Sequence, residues 1–266
     1  MIDKTMVKER FSKHAETYDQ YAKVQKVMGD TLLTQMQEQK KTYHNILEIG
    51  CGTGYLTKKL REMFPEAKMT LVDIAPGMID YVKSTLPPEN MKFICGDMEE
   101  LDVQDTYDLI ISNATFQWFN QLENTIQKLV ASLQSEGTLA FSTFGDDTFY
   151  ELHEATNKAK IALNRNKQVQ PGPSFYSLDQ IEDMFIGLGL NHNQTSFSES
   201  YYKEHFNKCR EFLHAVKKIG ANNSLAGNHG MGVALMKKVM EIYDQDYEEN
   251  NQVRATYHTM FVSYRR

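Results

Sequence analysis

The residues best suited to chemistry fall in one stretch, Leu47-Glu48-Ile49-Gly50-Cys51-Gly52-Thr53-Gly54. Glycines at 50, 52 and 54 let a chain turn tightly and bring its backbone against a ligand with no Cβ in the way. The spacing is GxGxG, whereas loops that cradle a pyrophosphate on a helix N-terminus read GxGxxG. Glu48 stands two residues ahead of the first glycine, and a carboxylate there suits a cationic ligand better than a pyrophosphate. Asp73 lies 23 residues beyond Gly50, where its two oxygens can accept from both hydroxyls of a ribose. Asp97, in Cys95-Gly96-Asp97-Met98, can accept from an adenine amino group while Met98 packs on the ring. Either aspartate alone is as readily a turn residue or helix cap. Taken with the glycines, the three acids describe a site for a positively charged adenosine derivative. S-adenosylmethionine, with its sulfonium and ammonium, has that chemistry, and S-adenosylhomocysteine would be its product. Cys51 within the loop, and Ile74 and Met78 just after Asp73, complete the lining expected for it.

Elements that could hold these residues follow from the hydrophobic pattern. Ile46 to Ile49 is a short apolar run that reads as a buried parallel strand, followed by a helix from Tyr55 to Phe64 that stops near Pro65. Met69 to Val72, Met91 to Cys95, Tyr107 to Ser112 and Thr138 to Phe144 read as further strands. Helices are expected between them at Gly77 to Leu86 and Leu122 to Leu133. Strands alternating with helices indicate a doubly wound, mostly parallel α/β sheet with its active edge at the carboxyl ends of the strands. Residues 1–40 read as helical, with Gly29 the one possible break and a buried stripe of Val24, Val27, Met28, Leu32 and Met36. Beyond Phe144, Thr148 to Leu163, Leu178 to Leu188, Lys208 to Ile219 and Met231 to Tyr247 look helical, with a turn at Gln170-Pro171-Gly172-Pro173. Strands at His192 to Tyr202 and Thr256 to Tyr264 bring the expected sheet to seven.

Composition narrows the class. The chain has 266 residues, 41% of them apolar, enough for one large domain with additions. No segment approaches the ~20 uninterrupted apolar residues of a membrane-spanning helix, and the charged start has no apolar run of a signal peptide. A cytoplasmic protein is therefore expected. Three scattered cysteines form no CxxC pair, and eight histidines show no zinc-type spacing, so no metal is expected. The net charge of −6 argues against a general nucleic-acid binder.

The order of motifs from Asn45 to Phe144 resembles the class I S-adenosylmethionine-dependent methyltransferases, with their Rossmann-like fold. In that family the segment after strand four lines the methyl-transfer site. Here it is Ser112-Asn113-Ala114-Thr115-Phe116-Gln117-Trp118-Phe119. Its aromatics are readily core, but Asn113 and Gln117 would need partners if buried. A narrower resemblance, running nearly end to end, is to the malonyl-acyl-carrier-protein O-methyltransferases of biotin synthesis. It rests on Val7 to Ser12, Ala15, Tyr18-Asp19, Tyr21-Ala22 and Gln25. Asn113 to Trp118, Val216 to Ala221 and Thr256-Tyr257-His258 add to it. It implies a helical lid over residues 1–40 and a methyltransferase domain over 41–266 with helical additions around 148–188 and 206–250. In such a lid Tyr18, Tyr21 and Gln25, at steps of three and four, share one face and can reach the cofactor or the acceptor.

The acceptor implied is the free carboxylate of malonyl-acyl carrier protein, esterified by direct displacement so that fatty-acid enzymes can extend the masked chain toward pimelate. Such a carboxylate, with a pKa near ~4, is already ionised, so no general base is needed. Tyr18, Asn113, Gln117 and Lys217 are the candidates to hold it, and Asn113 also borders the cofactor. His258 reads as structural. Acidic carrier proteins call for a basic face. From Tyr201 to Met240, Lys203, Lys208, Arg210, Lys217, Lys218, Lys237 and Lys238 stand against Glu204 and Glu211. The first five are the docking candidates. Three other readings stay open: a methyltransferase for a small free acid such as aconitate, a non-catalytic cofactor-binding protein, and, least favoured by GxGxG, a nicotinamide oxidoreductase.

Overall fold

A computed structural model describes residues 1–39, 41–165, 171–220 and 231–266; Lys40, Gln170 and Ala221, named above, lie outside these. The first segment is not one helix but three: α1 (Lys4–His14), α2 (Tyr18–Tyr21) and α3 (Lys23–Glu38). Asp3 caps α1 by accepting from the Met6 N–H at 3.0 Å. The chain turns at Ala15 to Thr17, and Ala22 leaves the helical region at ψ 47°. The breaks arise because the helices pack on different partners. In α3, which runs through Gly29 without interruption, Val24, Met28, Leu32 and Met36 enter the main core, while Val27 faces solvent. In α1, Val7 packs with Ile2 and Trp118 against Phe11 and Ile74. Ala15 joins Ala75 and Met78, close to Phe11 and Tyr18.

The α/β unit follows as β1 (Asn45–Ile49), α4 (Tyr55–Met63), β2 (Lys68–Asp73), α5 (Pro76–Thr85), β3 (Met91–Cys95), β4 (Tyr107–Asn113), α6 (Leu122–Ala131) and β5 (Leu133–Phe144). Pro76 at the first turn of α5 suits a position whose N–H needs no helical partner. Beyond it come α7 (Tyr150–Ala162), α8 (Leu178–Gly187), β6 (Thr195–Phe206), α9 (Cys209–Lys218), α10 (Val233–Asp246), β7 (Glu248–Glu249) and β8 (Gln252–Arg265). Among the described residues the sheet runs β3-β2-β1-β4-β5-β8-β6, with the two-residue β7 paired to β8. The first five strands are parallel, while β8 runs antiparallel between β5 and β6. The seven-strand path matches the sequence expectation; the β6–β8 pairing is longer than the weak alternation from His192 suggested.

Both faces of the parallel sheet are covered, so β1 is apolar after Asn45 except at Glu48. Ile46 joins the core beneath α3 and α4. Leu47 and Ile49 point to the other face, with Ile126 of α6 and Phe185 of α8. The chain leaves β1 toward β2 and β3 on one side and returns to β4 and β5 on the other. The strand tips therefore part between β1 and β4, which is where open α/β sheets bind ligands.

Candidate active site

Four strand tips deliver the polar groups of the site. Behind β1, Gly50 donates its N–H to Val72 O at 2.7 Å and adopts φ +71°. A Cβ there would come within 2.0 Å of Thr115 Oγ1, so the loop tolerates only glycine at this point. At the tip of β2, Asp73 accepts from Gly52 N at 2.9 Å through Oδ2 and from Ala75 N at 2.8 Å through Oδ1. Burial pushes its carboxyl up to about 6, against the opposing pull of those two N–H groups. The carboxylate thus orders the glycine loop while each oxygen keeps a further lone pair for a ligand.

Glu48 is 1% exposed. Its one hydrogen bond is from Thr57 Oγ1 on α4, at 2.7 Å. Burial raises its carboxyl to about 8; the Thr57 hydroxyl opposes the rise and the nearby Asp73 adds to it. Among the described residues no cation pairs with Glu48, and a buried acid in that state favours a cation brought by a ligand. Beyond β3, Asp97 accepts from Glu99 N at 3.0 Å and pairs with Lys4 Nζ of α1 at 3.1 Å. Lys4 also pairs with Glu99 and lies 5.2 Å from the Phe119 ring centre.

These tips surround a cleft that opens to solvent. Gly50, Gly52, Asp73, Ile74, Met78, Asp97, Met98 and Asn113 line it from the sheet side. Lys4, Val7 and Phe11 of α1, Tyr18 of α2, and Trp118 roof it. The roof fits because Gly77 at the start of α5 lets α1 approach: a Cβ there would meet Ser12 O at 2.5 Å. Asn120 fastens the start of the chain, accepting from Ile2 N at 2.7 Å and donating to Ile2 O at 3.0 Å.

Two further cavities adjoin the cleft. One, on the loop side, is bordered by Glu48, Cys51, Gln25, Lys26, Tyr55 and Asn113. Burial raises the Cys51 thiol well above its ordinary range, which keeps it a neutral wall. The other is small and largely aromatic: Phe11, Trp118, Phe144, Phe149, Phe175 and Tyr257, with Ile219 at the end of α9. It shares Phe11, Tyr18, Ala114 and Trp118 with the cleft. Its polar groups are Tyr18, Gln25, Gln117 and Thr148, and among the described residues no Lys or Arg lines it. Tyr18 borders all three spaces. Burial, then the charges of Asp73 and Asp19, raise its phenol far above the usual tyrosine range, so it is an O–H donor at any physiological pH.

The structure thus gathers most of the residues picked from sequence and leaves three outside these spaces. Gly54 lines none of them; a Cβ there would meet Val82 Cγ2 of α5 at 2.7 Å. Tyr21, three residues after Tyr18 in the short α2, turns toward α9, where its ring meets His214 edge-on at 6.4 Å. Lys217 is exposed on α9 and lines none of the three spaces; Ile219, two residues on, does. Asn113 and Gln117 are present but engaged. Asn113 donates to Gln25 O at 2.9 Å and accepts from Ser142 Oγ at 2.6 Å. Gln117 donates to Ala114 O at 2.6 Å and accepts from Thr143 Oγ1 at 3.0 Å. Phe116 is core, stacked on Phe141 at 4.0 Å, whereas Trp118 meets Phe11 edge-on in the roof. His258 lies outside the acceptor-side cavity, stacked on Tyr201 with Nε2 2.9 Å from Glu199 Oε2. Lys4, Thr115, Asn120 and Thr148 were not picked from sequence, and no local signal marks them, since only the packing of α1 and β8 brings them to the tips.

Comparison with known proteins agrees with this architecture. A family model described as a methyltransferase domain matches residues 46–137. The YcgJ protein of Bacillus subtilis has the same fold, with TM-score 0.59 at 15% identity over 89% of this chain and 98% of its own. So has the plantazolicin methyltransferase BpumL, solved in complex with SAH, with TM-score 0.52 at 15% identity over 99% of this chain and 95% of its own. Relatives in sequence cover the chain throughout. The malonyl-[acyl-carrier protein] O-methyltransferase of Acetivibrio thermocellus is 46% identical over 100% of this chain and 95% of its own length. The enzyme of the same name from Bacillus anthracis is 40% identical over 98% and 97%. With glycine loop, acid-tipped strands and full-length relatives in agreement, this chain belongs to the malonyl-[acyl-carrier protein] O-methyltransferase family.

Proposed function

We propose that the chain transfers the methyl group of S-adenosylmethionine to the free carboxylate of a malonyl thioester on acyl carrier protein, an early step of biotin synthesis. The observation that carries this reading is the shared wall of Phe11, Tyr18, Ala114 and Trp118 between an acid-rimmed cleft and an aromatic cavity. The cleft's residues fit the cofactor: Glu48 offers an uncompensated buried carboxylate to an ammonium, and Asp73 and Asp97 offer acceptors to ribose and adenine. When bound, S-adenosylmethionine supplies a methyl carbon activated by a positive sulfur.

The chain's own task is then alignment and exclusion of water. A malonyl carboxylate, ionised at neutral pH, needs no base. It must be held in line with the methyl at ~3 Å. A cationic clamp would stabilise the oxyanion more in the ground state than in the transition state, where its charge is being lost. A cavity with neutral donors and no lining cation among the described residues suits that demand, with the Tyr18 hydroxyl at the junction as the leading donor. Residues 1–22 form the roof; α3 is part of the core, so the lid is shorter than the 1–40 expected from sequence.

The carrier's docking face is proposed in two patches. Lys203, Lys208 and Arg210 are exposed around the start of α9. Lys217 and Lys218 stand at its other end, close enough to α1 that they, with Lys13, help lower the pKa of His14, after burial. That second patch adjoins Ile219 and so the acceptor-side cavity. No helix among the described residues is long and apolar enough to cross a membrane.

The test is an assay with labelled S-adenosylmethionine and a panel of malonyl-carrier protein, malonyl-CoA and free dicarboxylic acids. Methyl ester on the carrier-linked malonyl group is expected. Esterification of free acids alone would reject the proposal.

A further inference from the structure

Three amides face the spaces where chemistry is proposed, and they differ in what they have left to give. Those of Asn113 and Gln117 each donate to a backbone carbonyl and accept from a hydroxyl. The side-chain amide of Gln25 has no protein hydrogen-bond partner among the described residues; the residue is only 7% exposed, and what remains open faces the two cavities it lines. An amide satisfied only by water in a cavity keeps its NH₂ donors for a ligand that displaces that water. Gln25 borders the loop-side cavity and the aromatic cavity together. Its backbone is fixed, since its carbonyl accepts from Asn113 Nδ2 at 2.9 Å, and Asn113 is in turn held by Ser142 of β5. The amide is thus carried by a rigid first turn of α3.

The loop-side cavity already has a cation for the carboxylate of a bound amino acid. Lys26 borders it, anchored through Nζ to Asp19 O at 2.9 Å. The aromatic cavity has no such cation among its described lining residues. From these contrasts we infer that Gln25 is an acceptor-binding residue: its NH₂ group donates to the malonyl carboxylate beside the Tyr18 hydroxyl. This replaces the cofactor role that sequence spacing suggested for it. The inference rests on the function proposed above and specifies how that acceptor is held. A neutral NH₂ orients the oxyanion without a full countercharge, so the nucleophile keeps its electron density as the methyl approaches. Asn113 is by the same geometry a positioning residue, acting through Gln25.

The test separates acceptor from cofactor. Gln25→Met keeps the side chain's length and removes the donor; Gln25→Glu places a like charge against the carboxylate. With malonyl-carrier protein as substrate, Gln25→Met should lower kcat/KM about 10- to 100-fold, the value of one hydrogen bond to a charged group. The Kd for S-adenosylhomocysteine, read by calorimetry, should change less than about threefold, which also reports that the variant is folded. Gln25→Glu should fall further at pH 8 and recover toward Gln25→Met as the pH is lowered. Equal losses in kcat/KM and S-adenosylhomocysteine affinity, or a Gln25→Met enzyme with wild-type kcat/KM, would overturn the inference. Wild-type enzyme that binds S-adenosylhomocysteine but esterifies no malonyl thioester would overturn the parent proposal, and this one with it.

Discussion

A carboxylic acid buried with one hydroxyl for company holds its proton firmly, and Glu48 is in that position. A cationic ligand must displace the proton to gain the ion pair. Cofactor affinity should therefore rise with pH up to about 8, by as much as ~10-fold per unit where one proton is released. Calorimetry with S-adenosylhomocysteine from pH 6.5 to 8, in buffers of different ionisation enthalpy, would count that proton; Glu48→Gln should bind weakly and without the slope. Gly50→Ala places a methyl into Thr115 at a positive φ and should cost about 1–3 kcal/mol of stability, with loss of cofactor binding; thermal unfolding with and without S-adenosylhomocysteine reads both. The placing of Glu48, Asp73 and Asp97 at strand tips was legible in the sequence because the strands themselves were plain. Gln25 was legible as a residue near these tips, but the acceptor role proposed for it was not, since spacing does not show which amides already have partners. Lys217 was misplaced because a cation next to a cavity-lining residue on a helix points elsewhere.

At the scale of elements, α1 roofs the cleft, and the proposed reaction makes it the element that must open to admit the cofactor. It is fastened by Lys4 to Asp97 and Glu99 and by Asn120 to Ile2. The ion pair is partly solvated, and such pairs contribute roughly 0.2–1 kcal/mol. Lys4→Ala should accordingly speed S-adenosylhomocysteine release by up to about fivefold, and Lys4→Ala with Asn120→Ala by more. Trp118, the one tryptophan of the chain, sits in the roof against Phe11, so its fluorescence in a stopped-flow chase reports the event; an unchanged rate would mean that α1 does not gate the cleft. The breaks at Ala15 to Thr17 and at Ala22 could not be read from residue types. No glycine or proline marks them, and alanine favours helix. They exist because α3 is drawn into the core while α1 and α2 are drawn onto the strand tips, a conflict visible only in three dimensions.

The whole molecule places opposite demands on Glu48. Folded, it keeps its proton to about pH 8; unfolded, it releases it near 4.5. Burial therefore costs nothing below 4.5, and the cost grows as pH rises toward 8, so the ligand-free protein should lose stability across that window. Glu48→Gln should be the more stable protein at pH 8, by more than ~1 kcal/mol, and the less able to bind; denaturant unfolding at pH 5 and 8 would show it. On the outer surface, reversing the charges of Lys217 and Lys218, or of Lys208 and Arg210, should raise KM for carrier-linked substrate and leave that for S-adenosylmethionine unchanged. A pair whose reversal leaves both values unchanged has no part in docking. The parallel half of the sheet could be read from alternating strands and helices, whereas the β6–β8 pairing could not, because its outer face is polar and exposed.

The proposed reaction moves a methyl group across the shared wall beside Tyr18 to a carrier-bound carboxylate. Mass spectrometry of malonyl-carrier protein, after incubation with the enzyme and S-adenosylmethionine deuterated in its methyl group, examines that passage directly. The label should be found as an ester at the distal end of the malonyl arm, released by mild base. Label on a carrier side chain, or carrier protein recovered unlabelled while the enzyme holds its cofactor, would contradict it.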